Sequence, residues 1–339
     1  MILVTGGTGL VGAHLLVSLT QQHNKIRAMR RKSSNLDAVK NVFSYYYDDI
    51  APFYDKIEWV EGDIIDVNSL EKAFKEITHV YHVAAIVSFN PKDYWKMRKT
   101  NIEGTANVVN FSLTHNVKKL CFVSSIAAVD KTAKNGFIDE TGDWNVETNN
   151  YGYAITKHGA ETEVWRGTQE GLDAVIVNPG VILGSGSWGT SSGQIFSKVH
   201  DGLKLYTEGT TGYVGVKDVV KSMVLLMESE IKNERYILVA ENLRLKDVLF
   251  KIAEVFGKKR PSIKVTKTLS EIAWRVLSIV KVFRIQPRLT KQTASSIHNQ
   301  YYFSNEKIKK AIGIEFEPMS KTIQESCKDY KKDLLNSRI

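Results

Sequence analysis

The first 180 residues alternate between two patterns of apolar and polar positions. Short apolar runs predict strands, and between them apolar residues recur at the three- and four-residue spacing of helices. The predicted strands are Ile2–Thr5, Lys25–Met29, Ile57–Glu61, His79–Ala84, Lys119–Ser124 and Ala174–Asn178. The predicted helices cover residues 10–22, 66–76, 100–115 and 153–170. This alternation is typical of a parallel sheet with helices packed against it.

The regular alternation ends near residue 180, which suggests a change of domain. We expect a first domain over residues 1–180 and a smaller, mainly substrate-binding part over residues 181–339. One further strand is predicted near residues 213–240, at Tyr236–Val239, and it would return to the first domain so that the two parts are interleaved. Residues 33–56 predict an inserted helix and loop with no chemical signal of its own.

A glycine-rich turn joins the first predicted strand to the first predicted helix. Gly6, Gly9 and Gly12 follow the spacing GxxGxxG. One glycine permits a tight turn, another lets the backbone approach a pyrophosphate, and the third lets the helix pack on the strand. The helix N-terminus then offers free N–H groups to the anion. The sequence therefore predicts an α/β fold of the Rossmann type, a doubly wound parallel sheet that binds a dinucleotide, with a smaller C-terminal substrate domain.

The composition narrows the class of protein. With 43% hydrophobic and 24% charged residues, the chain is typical of a globular protein. No apolar run approaches the roughly 18 residues of a membrane span, and a strand beginning at Met1 leaves no room for a signal peptide. The two cysteines imply no disulfide framework, so a cytoplasmic location is expected. His79 and His82 fall on opposite faces of their strand, and no metal site is predicted.

The net charge of +9 is concentrated in the C-terminal part. Residues 1–240 contain 25 basic and 27 acidic side chains, a net charge of −2, whereas residues 241–339 contain 21 and 10, a net charge of +11. A solvated basic face is the simplest interpretation; an anionic substrate, an acidic protein and a membrane surface are alternatives. The apolar stripe of Leu269–Phe283 predicts a helix packed in the substrate domain, or else a lid, a homodimer face or a peripheral membrane contact. No nucleic-acid module accompanies the charge, so no nucleic-acid partner is expected.

The ends of the next predicted strands indicate the dinucleotide. Arg30 and Arg31 end the second strand, where an acidic residue would bind the ribose hydroxyls of NAD and an arginine accommodates the 2′-phosphate of NADP. The sequence favours NADP(H), with NAD(H) as the alternative. Asp63, after the third strand, can accept a hydrogen bond from the adenine amine. The small residues Val83–Ala85, after the fourth strand, let a cofactor pass close to the backbone.

Tyr153 and Lys157 carry the catalytic signal. On a helix, positions i and i+4 lie on one face, so the phenol and the ammonium can converge. A cation beside the phenol favours the phenolate and brings its pKa down from an ordinary value of about 10. The tyrosine can then exchange a proton with a carbonyl or alcohol oxygen. Ser124 and Ser125 end the fifth predicted strand, where a hydroxyl can bind the same oxygen.

The chain resembles the extended short-chain dehydrogenase/reductase superfamily, which includes the NAD-dependent epimerases and dehydratases. The resemblance rests on motifs that occur in family order over most of the chain: Thr5–Gly12, Gly62–Asp66, His82–Ala85, Asn101 with Gly104, Thr105 and Asn107, Ser124–Ser125, Tyr153 and Lys157 with Ala160–Glu161, Asn178–Gly180 and Tyr213–Val219. Pro287–Thr290 and Tyr302–Lys307 through Gly313 are similar to the dihydroflavonol-4-reductase and 3β-hydroxysteroid dehydrogenase branch.

The resemblance implies a role for each matching residue. Tyr153 would be the general acid/base, Lys157 would lower its pKa and bind the nicotinamide ribose, and Ser125, the second of the serine pair, would orient the substrate oxygen. Pro179 and Val181 would pack near the nicotinamide. The full set of cofactor-binding residues predicted in this way is Thr5, Gly6, Gly9, Leu10, Val11, Gly12, Arg30, Arg31, Asp63, Ile64, Val83, Ala84, Ala85, Asn101, Lys157, Pro179 and Val181.

Departures from the family pattern reduce the number of reactions that the chain is expected to catalyse. Ile126–Ala127 follow Ser125 where the 4,6-dehydratases of nucleotide sugars resemble one another in an Asp-Glu pair, so dehydration is not expected. Arg30 and Arg31 argue against the epimerases, which usually retain NAD. The sequence predicts an NADP(H)-dependent oxidoreductase that reduces a carbonyl to a secondary alcohol. An NAD-dependent epimerase, a 3β-hydroxysteroid-type dehydrogenase and a non-catalytic NADP-sensing scaffold are the alternatives. The partner is a small carbonyl or alcohol.

Overall fold

The computed structural model describes residues 1–131, 135–142, 144–145, 151–270 and 298–336. Most of the apolar stripe predicted over residues 269–283, and the whole of Pro287–Thr290, lie outside the described residues. Within the described ranges, no helix combines the length and the hydropathy that crossing a bilayer requires.

The described part of the chain alternates strands with α-helices. The strands are β1 (Ile2–Thr5), β2 (Ile26–Arg30), β3 (Ile57–Glu61), β4 (His79–His82), β5 (Lys119–Val123), β6 (Ala174–Pro179), β7 (Val181–Leu183), β8 (Leu205–Tyr206), β9 (Thr210–Gly215), β10 (Glu234–Leu238), β11 (Glu241–Arg244) and β12 (Ile263–Lys264). The helices are α1 (Leu10–Gln22), α2 (Leu36–Phe43), α3 (Ala51–Tyr54), α4 (Val67–Ala73), α5 (Tyr94–Met97), α6 (Gly104–Thr114), α7 (Gly152–Gln169), α8 (Gln194–His200), α9 (Val216–Glu228), α10 (Leu245–Phe256), α11 (Glu306–Ile312) and α12 (Met319–Leu335).

Seven parallel strands form the central sheet, in the order β10–β6–β5–β4–β1–β2–β3. Strand order reverses between β1 and β4, and in an open sheet of this kind ligands bind in the crevice at the carboxyl ends of the strands on either side of that point. The further strand predicted near residues 213–240 is β10, which pairs with β6 at the edge of the sheet. The predicted Rossmann-type, doubly wound architecture is confirmed.

Helices cover both faces of this sheet. One face packs against α1, α2 and α9, which bury Leu15, Val39 and Val219. The opposite face packs against α4, α6 and α7, which bury side chains such as Leu70 and Val164. Both layers are apolar toward the sheet, which explains why its central strands are continuous apolar runs rather than alternating ones.

A smaller assembly follows the sixth strand. Strands β7, β9 and β11 form a three-stranded sheet, and β8 pairs with β12. Helices α8, α10 and α12 pack with this region around a separate core that includes Leu183, Phe196, Ile252 and Ile323. The carboxyl edge of β6 leads directly into this region, so the second core lies next to the crevice of the main sheet.

Several predicted boundaries differ from the observed ones, and three of these differences have identifiable causes. Strand β2 begins one residue late because Lys25 points to solvent and pairs with Glu58, at 2.8 Å. Strand β4 ends at His82, since the next two N–H groups turn toward the backbone and side-chain oxygens of Thr5. The helix predicted over 100–115 is α-helical only from Gly104, because Arg98–Glu103 form a π-helical turn.

The insertion at residues 33–56 contains α2 and α3, and it anchors the last helix. The carboxylate of Asp333, in α12, is fully buried. It accepts hydrogen bonds from Trp188 Nε1 and Asn41 Nδ2, each at 2.8 Å, and from the Tyr45 hydroxyl. One buried acid therefore joins the inserted segment, the loop after β7 and the C-terminal helix. This polar role was not predicted from the sequence of the insertion.

Replacing Asp333 with alanine should destabilise the protein strongly. The substitution leaves the buried Trp188 N–H and two half-buried donors without this acceptor, and we expect the free energy of unfolding to fall by about 2–4 kcal/mol. Urea denaturation followed by circular dichroism measures this loss. Asp201→Ala is the matched control, since its carboxylate is exposed and we expect a change within about 0.5 kcal/mol. Equal losses in the two variants would contradict the anchoring role of Asp333.

Candidate active site

The turn between β1 and α1 is closed by two glycines that no other residue could replace. Gly6 has a φ of +71°, and a Cβ there would lie 2.6 Å from the nitrogen of Ala84. A Cβ on Gly12 would lie 2.1 Å from the carbonyl oxygen of Gly6. Gly9 is different, because a Cβ at that position would meet its nearest atom at an ordinary 3.5 Å. The tight turn and the close helix packing therefore depend on Gly6 and Gly12. Gly9 instead leaves the main chain at the N-terminus of α1 uncovered by a side chain.

The N-terminus of α1 is left without a protein anion. Its cap residue is Gly9, which provides no side-chain acceptor, and its first turn contains no acidic residue. Leu10 and Val11 form the first turn, and Val11 is buried. A helix end with unoccupied N–H groups and a glycine cap is the environment that a pyrophosphate requires. The residues present therefore fit a dinucleotide.

His82 connects this turn with the helices on the other side of the crevice. Its ring nitrogens lie 2.7 Å from the Thr5 hydroxyl and 2.9 Å from the Thr105 hydroxyl. Burial and the neighbouring Lys157 ammonium lower the pKa of His82 to about 3, so the imidazole is neutral. The main-chain carbonyl of Thr5 also accepts a hydrogen bond from the N–H of Val83, at 3.2 Å. The loop after β4, where Ala84 and Ala85 lie, is thereby fixed against the glycine turn.

The end of β2 presents two arginines in different environments. Arg30 lies 3.5 Å from Glu61, which is its register partner at the end of β3. The Arg31 side chain is exposed, and the main-chain N–H of Arg31 donates a hydrogen bond to the Ser34 hydroxyl at 3.1 Å. Ser34 also receives a weak hydrogen bond from Thr8 of the glycine turn, at 3.5 Å. Sequence reasoning missed Glu61 and Ser34; the parallel pairing of β2 and β3 would have suggested Glu61.

Asp63 and Ile64 form an ordered loop after β3. The Asp63 carboxylate accepts a hydrogen bond from the N–H of Ile65, at 3.2 Å. Ile64 is buried, and its carbonyl accepts a hydrogen bond from Asn107 of α6, at 3.0 Å. Asp63 is thus held at the carboxyl edge of β3, beside the ends of β2 and β1, where it was predicted to meet the adenine.

Tyr153, Lys157 and Ser125 are brought together. Tyr153 and Lys157 lie one turn apart on α7, and the Ser125 side chain lies close enough to the Tyr153 phenol to act on its pKa. Ser125 follows β5 at the carboxyl edge of the sheet and caps the short turn Ile126–Ala128, where its hydroxyl accepts the N–H of Ala127 at 3.1 Å. Ser125 is the serine whose side chain affects the pKa of the phenol, and its role in binding a substrate oxygen stays a prediction.

The two titratable groups of this triad are both shifted by burial. Burial raises the pKa of Tyr153 to about 12, against the opposing effect of the Ser125 side chain, so the lowering of this pKa that was expected from Lys157 is not observed. Burial lowers the pKa of Lys157 to about 8, against the opposing charge of Glu161. The Lys157 ammonium donates to the carbonyl of Val123 at 2.8 Å. At neutral pH the phenol is therefore protonated, and the ammonium next to it is largely charged.

Asn101 lies in the π-helical turn before α6. Its amide oxygen accepts the N–H of Ile86 at 2.8 Å, and its amide nitrogen donates to the carbonyl of Ile86 at 3.0 Å and to the Thr156 hydroxyl at 3.1 Å. It was predicted to bind the cofactor. The observed contacts fix the loop after β4 against α7, between the two ends of the crevice.

A buried polar network to which the sequence analysis gave no role supports α7. Glu161 lies one turn after Lys157 on α7 and is buried. Asn178, in β6, donates to the carboxylate of Glu161 and, at 3.0 Å, to the carbonyl of Ser125. Arg235, in β10, lies 3.5 Å from the same carboxylate. The i+4 spacing from Lys157 is the signal that could have identified Glu161.

The carboxyl end of β6 completes the crevice. Pro179 is the last residue of β6 and is buried, and Val181 begins β7 and is half-buried. Because β6 and β5 are parallel neighbours, Pro179 ends at the same edge of the sheet as Ser125. The residues predicted to bind the nicotinamide therefore lie on the catalytic side of the crevice. The residues predicted to bind the adenosine end lie on the other side of the point between β1 and β4 at which the strand order reverses.

A family model described as the NAD dependent epimerase/dehydratase family matches residues 2–240. A putative dihydroflavonol 4-reductase of Synechocystis is 27% identical over 92% of this chain and 89% of its own length. Cinnamoyl-CoA reductase 1 of Petunia hybrida is 26% identical over 98% of this chain and 92% of its own. The crystal structure of gox2253 superposes with a TM-score of 0.82 at 28% identity, and 98% of each chain is covered.

Adding a methyl group at two glycines should separate fold stability from cofactor binding. Gly12→Ala places a Cβ against the Gly6 carbonyl, and we expect the free energy of unfolding to fall by about 2–4 kcal/mol. Gly9→Ala, the matched control, should lose less than about 1 kcal/mol because its Cβ meets no close atom. The Gly9 methyl should nevertheless weaken dinucleotide binding, measured by nucleotide fluorescence, about tenfold or more. A Gly9→Ala protein that binds the dinucleotide normally would refute the pyrophosphate site.

Proposed function

The chain belongs to the NAD dependent epimerase/dehydratase family and is an NAD(P)-dependent oxidoreductase of the short-chain dehydrogenase/reductase type, and on that premise we propose that it reduces a carbonyl compound to a secondary alcohol with NADPH. The observation that carries this proposal is that the buried Tyr153 phenol lies near the Ser125 side chain, one helical turn from Lys157. The relatives named as reductases support reduction as the direction of the reaction.

The residues around the glycine turn would hold the cofactor. We assign the pyrophosphate to the N-terminus of α1, the adenosine to the ends of β2 and β3, and the nicotinamide ribose to Lys157. NADPH supplies the hydride that the carbonyl carbon receives. The complete set of binding residues comprises Thr5, Gly6, Gly9, Leu10, Val11, Gly12, Arg30, Arg31, Asp63, Ile64, Val83, Ala84, Ala85, Asn101, Lys157, Pro179 and Val181.

Tyr153 is proposed as the general acid. Its pKa near 12 keeps the phenol protonated at neutral pH, which is the form that a carbonyl reduction consumes. The Ser125 hydroxyl would bind the carbonyl oxygen and hold it against the phenol. The Lys157 ammonium would stabilise the phenolate once the proton has been donated. The oxidation of an alcohol would need the phenolate at the start, and burial of the phenol disfavours that form.

We propose that two parts of the chain bind the cofactor and the substrate separately. Residues 1–180, together with β10, would bind NADP(H), and residues 181–339 would mainly form the substrate side. The separate apolar core around α8, α10 and α12 supports this division. A small carbonyl substrate would enter between the two parts, above the carboxyl ends of β5 and β6.

A preference for NADP is proposed from the end of β2. Arg31 is exposed, and its main-chain N–H binds Ser34, which also contacts the Thr8 hydroxyl of the glycine turn; we propose that its free guanidinium binds a ribose 2′-phosphate there. Arg30 is less available, because Glu61 lies 3.5 Å away. The same Glu61 supports the alternative, an NAD-dependent epimerase or 3β-hydroxysteroid-type dehydrogenase, since a carboxylate can bind ribose hydroxyls.

Tyr153→Phe should abolish turnover while preserving cofactor binding. Removing the hydroxyl removes the proton donor, and we expect the rate of NADPH-dependent carbonyl reduction to fall by about 10²–10⁴-fold. The consumption of NADPH at 340 nm, with nucleotide affinity measured separately, tests this. Tyr206→Phe is the matched control, as it deletes a half-buried phenol in β8, outside the proposed site, and should keep the rate within about threefold. Wild-type turnover in Tyr153→Phe would eliminate this mechanism.

Arg31→Ala should weaken the binding of NADPH far more than the binding of NADH. Losing the exposed guanidinium should raise the dissociation constant for NADPH about tenfold or more and leave that for NADH within about twofold. Arg30→Ala should have a smaller effect, because Arg30 is already paired with Glu61. Lys32→Ala, an exposed neighbour, controls for net charge. Equal weakening of the two nucleotides by Arg31→Ala would show that the phosphate contact is misassigned.

A further inference from the structure

We propose that Lys131 forms a carboxylate-binding subsite beside the catalytic tyrosine, so that the carbonyl substrate carries a carboxylate of its own. This inference rests on the proposed function, because it names the substrate class of the same crevice. It assigns a specificity-determining role to a side chain that neither the motifs nor the cofactor site uses.

Lys131 sits between the faces of two aromatic rings. Its ammonium nitrogen lies 5.3 Å from the ring centre of Tyr151 and 4.9 Å from that of Tyr301. Tyr151 precedes α7, and Tyr301 belongs to the segment between Asn299 and Phe303 that pairs with the start of β9. Two elements that are distant in sequence therefore converge on one ammonium and fix its position. A lysine with this arrangement is oriented, unlike one on an open surface.

A short chain of aromatic contacts joins this lysine to the catalytic residues. Tyr151 stacks on Phe89, with ring centres 6.2 Å apart. Phe89 in turn meets Tyr153 edge-on, at 6.0 Å. Lys131 also follows Ser125 closely, after the single turn Ile126–Ala128. Both the ring contacts and the chain path thus place Lys131 on the substrate side of the Tyr153–Ser125 pair, away from the glycine turn.

The charge of Lys131 is not balanced by its described surroundings. Burial lowers its pKa, and among the residues that the structure describes no carboxylate lies within ion-pair distance of its ammonium. A partly dehydrated cation gains more from an added anion than a fully solvated one does, because the local dielectric constant is lower. The two ring faces attract the cation without neutralising it. An anionic group of the substrate would supply the missing charge.

One ammonium matches the single charge of a carboxylate. A phosphate group carries about −1.5 to −2 charges at neutral pH and would be only partly neutralised by it. The surroundings also suit an apolar body between the carbonyl and the carboxylate, since Phe89 is 54% exposed and Phe137 packs edge-on against Tyr302 beside Tyr301. The structure thus points to a ketone with an aromatic or similarly flat apolar skeleton and a carboxylate at its far end.

The test compares 4-acetylbenzoate with its methyl ester, two ketones with one skeleton and different charge. NADPH-dependent reduction of both is measured for the wild-type protein, Lys131→Gln, Lys131→Arg and Lys96→Gln, the last removing one charge from an exposed position of α5. We expect the wild type to prefer the acid at least tenfold in kcat/KM. Lys131→Gln should remove that preference through KM with kcat nearly unchanged. Lys131→Arg and Lys96→Gln should retain it.

Binding of the two ketones, measured by calorimetry on the same four proteins, separates this inference from the proposed reaction. Preferential binding of the acid that depends on Lys131, without any reduction, would support the subsite and contradict the proposed reaction. Reduction of both ketones with no effect of Lys131→Gln on their ratio would overturn the subsite and leave the reaction standing. A wild-type protein that binds the acid no better than the ester would also overturn the subsite.

Discussion

The close approach of Gly6 and Gly12 is the constraint on which the rest of the site depends. With no Cβ on Gly12, α1 begins in contact with the Gly6 carbonyl and directs its uncapped N-terminus over the carboxyl edge of β1. Gly6 in turn lies against Ala84, so the same turn also sets the position of the loop after β4. Phosphate recognition by main-chain N–H groups requires this placement, because a helix end displaced by one side chain would not reach the anion.

His82 transmits that placement to the catalytic side of the crevice. Its neutral ring bridges Thr5 of β1 and Thr105 of α6, and the charge of Lys157 helps to keep it neutral. On the far side, Asn178 holds both the Ser125 carbonyl and the Glu161 carboxylate. The phenol, the ammonium and the serine hydroxyl are therefore positioned by buried polar contacts on rigid strands and helices. Such support is what a proton-transfer site needs, since small displacements cost large factors in rate.

Local sequence patterns predicted much of this arrangement, and long-range pairing explains what they did not predict. The glycine turn, the central strands and the i,i+4 spacing of Tyr153 and Lys157 are local features, and the structure places them as expected. The position of Glu61 beside Arg30 depends on the register of β2 and β3. The hydrogen bonding of Asp333 depends on Tyr45, which lies 288 residues earlier in the chain. The one-residue shift of β2 also involves a distant partner, because Lys25 pairs with Glu58 of β3. No periodicity within one segment encodes such contacts.

The central claim is that the chain catalyses net reduction at the Tyr153 site. The most direct measurement is the transfer of deuterium from NADPH deuterated at its hydride-donating position to a panel of aromatic and alicyclic ketones, followed by mass spectrometry of the products and by the amount of NADP⁺ formed. We expect secondary alcohols carrying one deuterium each, with one NADP⁺ released per alcohol. Recovery of the ketones unchanged with no NADP⁺ formed, together with epimerisation of the matching chiral alcohols without net oxidation of the cofactor, would contradict it and indicate a redox-neutral epimerase.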